Sequence, residues 1–147
     1  MHFKEEFGAR HEEESLLDNE GKVHFGFVQK SSAFQRGVER IDIGLEKGFQ
    51  IALMCSEGNP LECHRFSMVA AYLESIDIQV QHILKDKTLQ THQDLEQALL
   101  KKYAKKLPQP SLFEPDIDEA AQLQAAYRLH NQEVAWQSEK YKPNTHD

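Results

Sequence analysis

Two thiols, an imidazole and a guanidinium fall within one short stretch, in which Cys55 is followed after seven residues by Cys63-His64-Arg65. Each group has a defined chemistry. A thiolate is a nucleophile and a metal ligand, and it is favoured beside positive charge. Imidazole works as an acid, a base or a ligand near neutral pH. A guanidinium holds an oxyanion by two parallel hydrogen bonds. Three readings of the stretch therefore stand side by side. In the first it is an anion cradle, with Cys55, Cys63 and His64 as catalytic groups and Arg65 as the anion holder. In the second, Cys55, Cys63 and His64 bind zinc, and a further ligand comes from His82, His11 or Glu57. Zinc takes four protein ligands in structural sites and three plus water in catalytic ones. The seven-residue gap is wider than in a standard zinc knuckle, so no metal ligands are assigned ahead of the anion site. In the third, Cys55 is a small buried apolar residue and Cys63-His64-Arg65 caps and pairs.

The flanking pattern must position these groups. Ser31-Ser32 can cap a helix carrying Phe34, Val38, Ile41 and Leu45 at three- and four-residue steps, and Gly48 stops it. The apolar run Phe49-Gln50-Ile51-Ala52-Leu53-Met54 then predicts a buried strand ending at Cys55. After the turn residues Glu57-Gly58-Asn59-Pro60, a helix is predicted from about Glu62 to Ser75, with Phe66, Val69, Ala70 and Leu73 on one face. Ile78 to Leu84 begins with strict alternation and predicts a second strand. Strand, helix, strand is a parallel βαβ unit, which binds ligands at the carboxyl ends of its strands. The expected fold is a small Rossmann-like three-layer α/β domain with C-terminal helices.

Downstream, Lys85-Asp86-Lys87 turns the chain, and Leu95, Ala98, Leu99 and Tyr103 mark a helix from Thr91 to about Ala104. The three prolines between Leu107 and Pro115 mark a linker, and Asp116 to Gln137 reads as a long amphipathic helix. The predicted organisation is an α/β domain over 1–104, a linker over 105–117, and a helix with tail over 118–147. Residues 1–22 are polar and acidic and read as a loop or short arm. His82 reads as a packed or surface histidine. His24, His92 and His130 look scattered.

Among the 147 residues, 39% are hydrophobic and 28% charged, and the net charge is −7, which fits a soluble chain that does not coat nucleic acid nonspecifically. A local nucleic-acid site stays open. No apolar run suits a bilayer span, so no membrane partner is expected, and the first residues lack the apolar stretch of a secretion signal. Two cysteines without that context predict reduced thiols and a cytoplasmic location.

The stretch Ala52-Leu53-Met54-Cys55-Ser56-Glu57-Gly58-Asn59-Pro60-Leu61-Glu62-Cys63-His64-Arg65 resembles the signature of a bacterial family, domain of unknown function 488. That signature is Leu-Met-Cys, a Glu two residues on, then Cys-His-Arg opening a helix. Phe7-Gly8-Ala9-Arg10 resembles the family's Gly-Gly-Arg turn, and Val80-Gln81-His82-Ile83 its His-Ile strand, so the likeness spans roughly residues 7 to 100. It implies that Arg10 and Glu57 join Arg65 in the anion site, and it carries a loose association with DNA repair but no established activity. Family members begin with Thr-Ile-Gly-His-Ser and Asp-Val-Arg strands that have no counterpart here. The expectation is then an open sheet edge beside the Phe49–Met54 strand, with either a homodimer through that edge or a shortened protein whose site is incomplete.

A signal of a different class lies in the proline segment. Gln109-Pro110-Ser111-Leu112-Phe113 resembles the short peptide by which bacterial replication and repair proteins dock on the sliding clamp. A stiff extended segment loses less entropy on binding, and Leu112 and Phe113 would either fill an apolar pocket of a partner or pack the linker back onto the domain's own surface. The clamp is the partner that this resemblance implies.

Overall fold

A computed structural model describes residues 5–110 and 117–142. The chain divides into two compact units, Met1–Ser56 with Ala135–Asp147, and Glu57–Val134. The expected parallel three-layer core does not form. Among the described residues the only sheet is an antiparallel pair, β1 (Gln81–Ile83) and β2 (Leu89–Thr91), with Gln81 opposite Thr91 and Ile83 opposite Leu89. The alternating segment thus pairs with the residues just after it. Closing a short hairpin costs less chain entropy than bringing in a parallel partner across a long crossover. Leu84 N donates to Thr88 O at 2.9 Å, and Lys87 takes the left-handed φ of 68° that the turn requires.

The other expected strand is absent as well. Residues Gln50 to Met54 make no backbone–backbone hydrogen bond to the other described residues, and Phe49 and Met54 are 63% and 94% exposed. An apolar run becomes a strand only with a ladder partner, and none is present among the described residues. The open parallel-sheet edge expected beside that run is therefore absent among the described residues. The helix expected over 62–75 forms as a continuous run from His64 to Ser75, but its first turns are wider than α-helical. Asn59 caps a 3₁₀ turn over Pro60–Glu62, a π-helical stretch follows over Arg65–Ala70, and α3 (Ala71–Ser75) continues it as a regular α-helix.

In the first unit, α1 (Phe25–Lys30) leads into α2 (Ser32–Glu46). Ser31 Oγ accepts from Phe34 N at 3.2 Å, which caps α2 as its sequence predicts. Phe34 is fully buried edge-on against Phe7 at 5.1 Å, and Val38 and Ile41 lie beneath the same face of α2. Gly48, at φ +79°, lets Phe49 N reach Gly44 O and closes the helix. The acidic leading segment is more than an arm, because Phe7 and Leu17 are buried. Residues 136–138 return to it: Val23 N donates to Trp136 O and Ser138 N to Gly21 O.

In the second unit, α4 (His92–Tyr103) packs against α5 (Glu119–Val134). Phe66, Leu95, Leu99, Tyr103, Leu107, Ala125 and Ala126 form the buried cluster between these helices and the π-helical turn. A capping box fixes the start of α4: Asp94 N donates to Thr91 Oγ1, and Thr91 N donates to Asp94 Oδ2. Thr91→Ala is expected to cost about 1 kcal/mol, read as a lower urea midpoint with unchanged slope. An unchanged midpoint would show that the cap contributes nothing.

Candidate functional site

The Cys-His-Arg loop is shaped by local rules. Pro60 opens the 3₁₀ turn and Asn59 Oδ1 accepts from Leu61 N at 3.1 Å. Cys63 N then donates to Pro60 O, and Phe66 N to Cys63 O. Phe66, fully buried, anchors the start of the π-helical turn. Such a turn widens the backbone, a feature common at functional sites.

The loop gathers three soft or borderline donors. Cys55 Sγ, Cys63 Sγ and a His64 ring nitrogen all lie within 4.8 Å of one another. Cys63 is 2% exposed, yet its sulfur has polar company: it accepts from Arg65 N at 3.4 Å and lies 3.7 Å from His64 Nδ1. Tetrahedral zinc, with bonds of about 2.3 Å to sulfur and 2.0 Å to nitrogen, sets such a sulfur and nitrogen about 3.5 Å apart. Cys63 and His64 already stand near that separation. Both cysteines are free of disulfides.

The remaining expected residues separate into groups. Arg65 stays at the loop, with Nη2 donating to Gly58 O at 3.3 Å. Glu57 is exposed on the same loop, whereas Arg10 is exposed on the Met1–Ser56 unit. Of the expected further zinc ligands, His11 bonds Gly8 O at 2.9 Å and His82 bonds another histidine. Gln109 is exposed and donates to Leu107 O at 3.4 Å. Ser111, Leu112 and Phe113 lie outside the described residues.

One polar constellation is new relative to the sequence reading. His82 Nε2 and His92 Nδ1 are 3.1 Å apart, His92 Nε2 and the Tyr127 oxygen 2.9 Å, and Tyr127 O–H donates to Glu96 Oε1 at 2.8 Å. One proton arrangement satisfies every member: His82 donates to His92, His92 to Tyr127, and Tyr127 to Glu96. Both imidazoles are then neutral. Phe66 lies against the rings of His82, His92, Tyr127 and His130. The hairpin carries His82 to the start of α4, and the Thr91 cap that places His92 there was the readable half of the signal.

Burial, with mutual repulsion and the nearby Arg65 charge acting on His82, pushes both His82 and His92 down from 6.5 to about 4. The unfolded chain thus takes up protons between pH 6.5 and 4 that the folded one refuses. Stability is fully present above pH 6.5 and falls as the pH drops through that window, by on the order of 1 kcal/mol per pH unit once solvent screening is allowed for. Urea midpoints measured between pH 7.5 and 4.5 check this. A profile flat through that window would show that the histidines are not held neutral.

Set against known proteins, the chain matches no family model, no curated protein and no solved structure. No helix among the described residues is long and apolar enough to cross a membrane.

Proposed function

We propose that this chain is a metal-binding domain whose 55–64 loop holds one divalent cation of the zinc class through Cys55, Cys63 and His64. The observation that carries the reading is the convergence of two thiols and an imidazole within 4.8 Å. Zinc is favoured by this donor set, since thiolates and imidazole suit a borderline-soft ion and carboxylates are not required. Three protein donors leave a coordination position for water or substrate, which is the pattern of catalytic rather than structural sites. A zinc ion so held supplies Lewis acidity and lowers the pKa of its bound water to about 7. The Arg65 amide holds the Cys63 sulfur by hydrogen bonding, and Pro60 and Phe66 hold the loop backbone.

Kinship to domain of unknown function 488 belongs to the same proposal and rests on the spacing of Leu53-Met54-Cys55 to Cys63-His64-Arg65. So does a cytoplasmic location, where thiols stay reduced and available to metal. The test is the metal content of the purified full chain, with cobalt substituted for zinc as an optical probe. One ion per chain and a thiolate-to-cobalt charge-transfer band are expected. A chain that retains no ion and shows no such band overturns the reading.

A further inference from the structure

Two cations meet on the backbone of the same loop. Arg65 Nη2 donates to Gly58 O at 3.3 Å, and the Lys85 stem lies over Gly58, where a Cβ would run into its Cε and stand 3.1 Å from its Cγ and Cδ. Neither cation is ion-paired with a carboxylate among the described residues. Glu62, the acid of the 3₁₀ turn, instead accepts from Asn59 Nδ2 at 3.1 Å. Two unpaired positive charges over one glycine repel each other, and a neutralising group between them would relieve that cost. The arginine fork also has donors left after its single loop contact.

We infer that Arg65 and Lys85 form an oxyanion subsite over Gly58, selective for phosphate or a phosphate monoester, on the loop that leads into the metal ligands Cys63 and His64. This rests on the metal reading of Cys55, Cys63 and His64. Gly58 has a defined part in it: the bare Cα leaves room for the lysine stem to cross while its carbonyl orients the guanidinium. Lys85 comes from the β1–β2 turn, so the hairpin that replaces the expected parallel strand supplies the second cation. Arg65 supplies fork geometry and Lys85 a point charge, a common division of labour at phosphate sites.

The test is calorimetric titration of inorganic phosphate into the zinc-loaded full chain, with zinc content measured on the same sample. Saturable binding is expected, weakened about 10-fold in Lys85→Met with zinc content unchanged, and weakened likewise in Arg65→Met. Lys85 is exposed, so its variant keeps the fold should Arg65→Met lose it. A second arm with a nucleoside monophosphate distinguishes monoester from free phosphate: tighter binding assigns the site to the ester and equal binding to the ion, and either supports the subsite. Zinc retained without saturable phosphate binding, or equal phosphate affinity in Lys85→Met, overturns the subsite alone. Failure to retain zinc overturns the metal reading and the subsite with it.

Discussion

Cys63→Ala should lower the zinc affinity of the full chain by more than the ~10–100-fold that losing an outer-shell partner costs, because it deletes a direct ligand. The sulfur at stake is buried, lies 3.7 Å from His64 Nδ1 and accepts the Arg65 amide, so no neighbouring thiol can take its place without moving the π-helical turn. Competition with a chromophoric chelator measures the change. Because Cys63 is nearly inaccessible, Cys63→Ser is the second variant: it keeps the volume and removes the thiolate. Met54→Ala, next to Cys55 and 94% exposed, is the control and should leave affinity unchanged. Zinc affinity in Cys63→Ser equal to that of the parent would remove Cys63 from the ligand set.

The largest effect on stability is expected from Phe66→Ala, at about 3–5 kcal/mol. Phe66 is fully buried, closes the apolar cluster of α4 and α5, and lies against His82, His92, Tyr127 and His130. Its removal opens a cavity beside polar rings whose hydrogen bonds depend on fixed positions. Urea unfolding followed by far-ultraviolet circular dichroism is the suitable measurement, since the sole tryptophan, Trp136, belongs to the Met1–Ser56 and Ala135–Asp147 unit. Phe49→Ala, at a 63% exposed position, should change stability by no more than about 0.5 kcal/mol. Similar losses in the two variants would contradict the placement of the core.

Most helices were legible because their signals are local. Ser31 and Gly48 bound α2, and the Thr91-x-x-Asp94 box opens α4, each within hydrogen-bonding reach of its own turn. The Phe49–Met54 run shows where such reading stops. Its composition suits a buried strand, but burial is decided by a partner far along the chain, and composition is silent on whether that partner exists. The alternation of Ile78–Leu84 was equally ambiguous, since a period of two describes a hairpin strand and a parallel one alike.

The site was half legible for the same reason. Cys63, His64 and Arg65 are neighbours in sequence, so their proximity needed no knowledge of the fold, and Cys55 follows within one loop. Lys85 reaches Gly58 only because the hairpin turns there, and His82 reaches His92 only because β1 and β2 pair. Residues that tertiary pairing brings together leave no spacing pattern behind. Arg10 was implied by resemblance alone, and it is exposed.

The return of residues 136–138 to Gly21 and Val23 has a consequence for biosynthesis. The whole of Glu57–Val134 leaves the ribosome before the segment that completes the first unit. Vectorial synthesis therefore lets the inserted unit fold first, while the unit of Phe7 and Phe34 waits for its last segment, including Ser138, whose hydroxyl donates to the Glu12 carboxylate. A nascent chain halted before Ala135 would carry an intact Cys63-His64-Arg65 turn and an unfinished first unit.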